Sequence, residues 1–163
     1  MNARAARCTL TAIMVSGLAI AALPQVSFAQ SSPLIGTWKL NVEKSKFSPG
    51  PPPRSATLTY TQDGQNIKNT TQGIDAQGNA ASGVLLHIYD GQPHPSTGSQ
   101  VSDASAYTRL DANTLIFTRL KAGKLVAVGT AVLSQDGKTW TVTTTGTNSN
   151  GQPASSIALY EKQ

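Results

Sequence analysis

The stretch Leu125-Val-Ala-Val-Gly-Thr-Ala-Val-Leu133, Ser134-Gln-Asp-Gly-Lys138, Thr139-Trp-Thr-Val-Thr-Thr-Thr-Gly-Thr147 decides how the chain folds. Two runs rich in Val, Thr and Leu flank a short segment containing Asp136-Gly137, the strongest short-range hairpin signal in the sequence. On the second arm Trp140, Val142 and Thr144 share one face and Thr139, Thr141, Thr143 and Thr145 the other, because side chains alternate along a strand. The first arm is apolar on both faces: Leu125, Ala127, Ala131 and Leu133 on one, Val126, Val128 and Val132 on the other. β-Branched residues crowd both arms and no polar stripe recurs at helical spacing, so neither arm reads as a helix.

Outward from this hairpin the pattern repeats. Ser55 to Thr61, Ile67 to Ile74, Ser82 to Tyr89, Ala104 to Leu110, Thr114 to Leu120 and Ala154 to Tyr160 read as strands, punctuated by turns such as Asp63-Gly64, Asp90-Gly91 and Asp111-Ala112-Asn113. Pro93-His94-Pro95 admits at most a short edge piece. Upstream, Leu34, Gly36, Trp38, Leu40 and Val42 alternate with Ile35, Thr37, Lys39 and Asn41, a strand with one wet face. Glu43 to Arg54, with Pro49-Gly50-Pro51-Pro52-Pro53, reads as a long stiff connection packed down by Phe47. The sum is about nine strands joined by short turns. Such turns make neighbours in sequence antiparallel neighbours in the sheet. A meander this long leaves two bare edges unless it closes. The expected fold is therefore all-β: a single antiparallel up-and-down β-barrel of about 8–10 strands.

The first 29 residues stand apart. Arg4 and Arg7, an apolar run from Leu10 to Leu23, Pro24, and the small residues of Ser27-Phe28-Ala29 make a secretory signal peptide with cleavage after Ala29. The run is short of the ~20 residues a membrane span needs, so no span is expected after processing. The domains are then 1–29, the signal, and 30–163, the barrel, and the location is secreted or periplasmic. Cys8 is the one cysteine and leaves with the signal, so the mature chain has neither a disulfide nor a thiolate. Arg4 and Arg7 leave too, taking the 13 basic residues to 11 against 8 acidic ones and the net charge from +5 to +3. The remaining Lys and Arg are scattered, not gathered on a stripe with aromatics, which excludes a nucleic-acid partner.

No catalytic arrangement emerges. There is no Gly-x-Ser-x-Gly elbow and no phosphate loop before a helix, and most aspartates occupy turn positions. His87, Asp90 and His94 fall within eight residues, but a strand histidine and a loop histidine between prolines explain them without a metal. No enzyme, metal or cofactor is expected. Tyr60, His87, Tyr89, Tyr107, Arg109, Phe117 and Arg119 are strand residues suited to line a cavity, with Arg109 and Arg119 near one another at its mouth. An apolar cavity with a few polar groups is the usual small-molecule site. The expected activity is therefore binding of a small apolar ligand. The alternative is a protein-binding, inhibitor or envelope accessory module using the Pro-rich loop.

Gly36-Thr37-Trp38 resembles the Gly-x-Trp motif of lipocalins and their calycin relatives. That resemblance implies a barrel whose closed end is plugged by Trp38, with a basic side chain, from Lys162 or Arg119, packed across it. The longer stretch Gly36-Thr37-Trp38-Lys39-Leu40-Asn41 and Lys44-Ser45-Lys46-Phe47-Ser48-Pro49-Gly50-Pro51 also resembles a group of exported bacterial proteins of unknown function. The late helix of many lipocalins is missing from the pattern, which in this respect is closer to avidin-like or all-strand relatives.

Overall fold

A computed structural model describes residues 32–163; the signal segment expected over residues 1–29, with its cleavage after Ala29, lies outside the described residues. Ten strands follow one another: β1 Gly36–Ser48, β2 Ser55–Asp63, β3 Asn66–Ile74, β4 Ala80–His87, β5 His94–Pro95, β6 Ala104–Arg109, β7 Thr114–Lys121, β8 Lys124–Leu133, β9 Thr139–Thr147 and β10 Pro153–Lys162. They form one antiparallel sheet in the order β4-β3-β2-β1-β10-β9-β8-β7-β6-β5, with no helix among the described residues. The first strand meets the last, Trp38 opposite Lys162 and Leu40 opposite Tyr160, so the meander wraps round as expected. The tenth strand beyond the nine expected is β5, the short piece allowed for between the prolines.

The deciding hairpin is β8–β9, with Leu133 opposite Trp140. Its turn is held by Gly137 N–H on the Ser134 carbonyl at 2.9 Å and Ser134 N–H on the Thr139 carbonyl at 2.9 Å. Ala127, Ala131, Leu133 and Trp140 face inward and are buried. Leu125 does not join them. The register slips between Arg119 and Leu120, which pair with Ala127 and Leu125, leaving Val126 as an extra residue. One extra residue reverses the alternation, and Leu125 turns outward, 61% exposed.

A second irregularity corrects the reading of the Glu43–Arg54 connection. β1 continues to Ser48 and pairs with β10 again beyond a bulge, Lys46 lying opposite Ile157 and Ser48 opposite Ser155. Side chains hold the bulge: Ser45 Oγ donates to the Asn41 carbonyl at 2.6 Å and accepts from Leu159 N–H at 3.0 Å. Only Pro49–Arg54 is left as a connection. β3, a polar strand, lies inside the sheet between β2 and β4. Its polar residues Lys68 and Gln72 simply face outward and are exposed.

The ring is joined lightly at one place. Between β4 and the chain after β5 there is one bridge, Leu85 to Ser96, with Thr97 N–H on the Val84 carbonyl at 2.9 Å and Val84 N–H on Thr97 Oγ1 at 3.2 Å. Asp90-Gly91 is therefore not a tight hairpin turn but part of a loop, in which Asp90 Oδ1 accepts from Gln92 N–H at 2.9 Å. At this seam Gly98 has φ +84°, and a Cβ there would collide with the Ser82 carbonyl oxygen and Gly83 Cα. Gly98→Ala is expected to cost about 2 kcal/mol, combining left-handed strain with overpacking against backbone. Hydrogen exchange checks it: the Thr97 and Val84 amides should lose protection before those of β8 and β9, whereas uniform loss would contradict a local effect.

Candidate functional site

Trp38 lies on β1 near one end of the barrel. Trp38 has no exposed surface, and its indole N–H donates to the Leu34 carbonyl at 2.9 Å. Across the ring lies Lys162, its Nζ 5.2 Å from the ring centroid and 3.0 Å from the Pro33 carbonyl oxygen it donates to. The basic partner is thus Lys162, not Arg119. Gly36, at φ +130°, leaves room for it: a Cβ would stand 3.3 Å from Lys162 Cε. The motif works as a unit, with glycine admitting the lysine stem and the lysine covering the indole.

Above the plug the barrel holds a cavity of about 220 Å³. Alternation brings Leu58 and Tyr60 from β2, Asn69 and Thr71 from β3, Leu85 and His87 from β4, and Tyr107 from β6 to its wall. Phe117 and Arg119 of β7, Ala131 of β8, Trp140 and Val142 of β9, and Tyr160 of β10 complete it. Five of the seven residues expected to line a cavity do so together: Tyr60, His87, Tyr107, Phe117 and Arg119. Tyr89 and Arg109 do not line it. Arg109 Cζ lies 4.4 Å from the Tyr89 ring centroid, and the arginine borders Leu34, Leu115 and Leu133 at the plugged end. Arg109 faces Leu115 and Arg119 faces Ser105 in the β6–β7 register. The two arginines are four residues apart along the ladder, ~13 Å, rather than neighbours at one mouth.

The aromatic walls interlock. His87 stacks on Tyr107 with centroids 4.1 Å apart and planes at 17°, and it meets Tyr60 edge-on at 5.4 Å. Tyr60 in turn accepts the Trp140 indole N–H on its hydroxyl at 3.1 Å. Burial, assisted by the positive charges of Arg119 and Arg109, pushes the His87 imidazole down to about 3, so it is neutral at ordinary pH. Its Nδ1 is buried and has no hydrogen-bond partner among the described residues. Burial raises the tyrosine hydroxyls, Tyr60 most and Tyr160 to about 12, while the Arg119 charge pulls Tyr107 and Tyr160 part of the way back.

Arg119 is the odd member. It sits 5.1 Å from the Phe117 ring centroid and forms no ion pair or hydrogen bond among the described residues. It also borders a second hollow of about 330 Å³ at the open end, beside Phe47, Pro49, Pro51, Val101 and Thr144. The proline segment thus forms the rim of the open end, with Arg119 between the rim and the cavity. Trp140, Val142 and Tyr160 were not among the expected lining residues. Alternation from Trp140 through Val142, and from Ala158 to Tyr160, was the available signal. The His87, Asp90 and His94 group does not assemble: His94 Nε2 lies 3.0 Å from both Asp90 carboxylate oxygens on the outside, while His87 is inside.

No family model matches the chain, and no curated protein matches it. Solved structures do. The crystal structure of Rv2717c from M. tuberculosis is 13% identical with a TM-score of 0.51, over 81% of this chain and 94% of that one. That likeness is one of fold, a β-barrel. A redesigned beta barrel, mFAP1, bound to DFHBI is 15% identical with a TM-score of 0.45, over 80% and 95%. Zebrafish ileal bile acid-binding protein complexed with cholic acid is 12% identical with a TM-score of 0.46, over 81% and 100%.

Proposed function

We propose that the barrel binds a small, planar, mostly apolar molecule bearing one anionic group. The observation that carries this reading is Arg119, a guanidinium with five donors standing between an aromatic cavity and the second hollow, with no acid beside it among the described residues. A partly enclosed cation without a counter-charge is costly, and a carboxylate offers bidentate relief. The aromatic walls favour a flat ring system. A cavity of about 220 Å³ is below the ~300–1,000 Å³ usual for drug-sized ligands, so a ligand of one or two fused rings fills it. The chain acts as a container rather than an enzyme. It is exported, the N-terminal 29 residues serving as its signal, and it is a lipocalin-like relative; the closed ring and the Trp38–Lys162 plug support the last point.

The test uses two isosteric probes, 2-naphthoate and neutral 2-naphthamide, titrated while the fluorescence of Trp140 and Trp38 is followed. Wild-type protein should bind naphthoate saturably and at least about tenfold more tightly than the amide, roughly the 1.4 kcal/mol expected of a charge-assisted pair. Arg119→Gln should abolish that preference and leave amide binding unchanged. Equal binding of both probes would remove the anionic requirement. Binding of neither would remove the container.

A further inference from the structure

The inner face of the barrel continues past the cavity without a break. On β9 the inward residues run Trp140, Val142, Thr144, Gly146; the first two border the cavity of about 220 Å³ and the last two the hollow of about 330 Å³. On β10 Tyr160 borders the cavity while Ser156 and Ala154 border the hollow, and on β8 Ala131 and Ala127 divide in the same way. Arg119 of β7 borders both. The two spaces are consecutive stretches of one interior, and the arginine stands where they meet.

The sequence makes the second space by leaving side chains out. Arg119 lies opposite Ala127, Ala127 opposite Gly146, and Gly146 opposite Ala154, so nothing longer than a methyl stands abreast of the arginine across three strands. Gly146 cannot be enlarged, because a Cβ there would collide with the Val126 carbonyl oxygen and with Ala127. Val126 is the extra residue of β8, so the same irregularity that turns Leu125 outward holds this row to glycine. In the neighbouring row Thr144 lies opposite Ser156 and Ser156 opposite Phe47, which sets hydroxyls beside a ring. Pro51 and Val101 add apolar wall, and among the described residues bordering the hollow Arg119 is the only charged one.

An acid that ended at Arg119 would leave these apolar walls wet and the short row unfilled. The cavity alone is below the ~300–1,000 Å³ usual for a ligand site, and cavity and hollow together fall within that range. The walls say what the remainder of the ligand is. It is neutral, since a second anion would compete for the one guanidinium and a cation would be repelled by it. It joins a polar link, for the Thr144 and Ser156 hydroxyls, to an apolar tail, for Phe47, Pro51 and Val101. We infer that the ligand is a branched acid with its carboxylate in the middle: an aromatic head in the cavity, the carboxylate on Arg119, and an amide-linked apolar arm in the hollow, the pattern of an N-acylated aromatic amino acid. This assignment rests on Arg119 holding the carboxylate, as proposed above.

Calorimetric titration of the purified protein with two acids tests it. One is 3-(2-naphthyl)propanoate, which has the head and the carboxylate; the other is N-pentanoyl-3-(2-naphthyl)alanine, which adds the arm beside the carboxylate. Taking one methylene from water is worth about fourfold in affinity, so a four-carbon tail half covered by the hollow should tighten binding at least about tenfold. Ala154→Phe, which fills the hollow from β10, should bring the two acids within about twofold of each other, and Ala154→Ser, which leaves it open, should keep the gain. Near-UV circular dichroism of Trp38 and Trp140 verifies that each variant is folded. Equal or weaker binding of the acylated acid by wild type would overturn the inference and leave the reading of Arg119 in place. A gain that survives Ala154→Phe would put the arm elsewhere and overturn it as well. If neither acid bound, the reading of Arg119 would itself fail, and the inference with it.

Discussion

Trp38→Ala is expected to lower the unfolding free energy by about 3–5 kcal/mol, the usual cost of deleting a fully buried aromatic side chain. Against the ~5–15 kcal/mol of a typical domain this is a large fraction. Three losses combine: the indole volume in the buried cluster it shares with Leu34, Leu58 and Trp140, the hydrogen bond to the Leu34 carbonyl, and the surface on which Lys162 lies. Lys162→Met, which keeps the stem and removes the charge, should cost only about 0.5–1 kcal/mol, the range of a partly exposed cation–π contact. Urea unfolding midpoints of the two variants measure both. If Trp38→Ala cost no more than Lys162→Met, the ring would not be the seal its burial indicates.

Acid should destabilise the protein through His87. The imidazole titrates at about 3 when folded and near 6.5 when unfolded, so between those values the unfolded chain holds the extra proton. Stability therefore rises with pH across the window and is lost on acidification, fully present above pH 6.5 and reduced by on the order of 4 kcal/mol near the lower limit. Asp75, Asp90, Asp111, Asp136 and Glu161 are held below the usual carboxylate range, mainly by hydrogen bonds, and each favours the folded state above its unfolded pKa. Their contribution is lost as pH falls through their folded values, in a lower window. Loss between about pH 6 and about pH 5 thus isolates the imidazole. His87→Leu should flatten the stability curve there. A wild-type curve already flat in that interval would mean that water reaches the ring.

Much of this was legible from residues alone, and the reason lies in turn chemistry. Asp136-Gly137 fixed the β8–β9 hairpin, and the strict alternation of Trp140 and Val142 fixed its inner face. Gly36-Thr37-Trp38 pointed to a buried ring through the resemblance its motif carries, and Trp38 is fully buried with Lys162 across it. What was not legible were the two bulges, at Val42–Ser45 and Val126. Turn residues mark where strands end, but nothing local marks an extra residue within a run of valines or after Asn41. From the first bulge came the misjudged length of the Pro-rich connection, and from the second the wrong face for Leu125. Composition also could not say which end of the barrel each aromatic would occupy. Tyr107 and Tyr89 look alike in sequence, yet one stacks on His87 in the cavity wall and the other lies under Arg109. The lining was therefore legible on β2, β4, β6 and β7, where aromatics and an arginine mark it, and not on β3, β8, β9 and β10, where Asn69, Thr71, Ala131, Trp140, Val142 and Tyr160 complete it.

The meeting of the first and last strands also reaches beyond stability. Gln163 N–H bonds the Thr37 carbonyl at 3.0 Å, so the two extremities of the ladder lie side by side beneath the plug. A few glycines would splice them, and the circle so made could be cut at a hairpin of choice such as Lys121–Lys124. The order in which ribosomes make the segments is thus separable from the architecture they build, with the Leu85–Ser96 stitch as the join on which a re-threaded chain would depend.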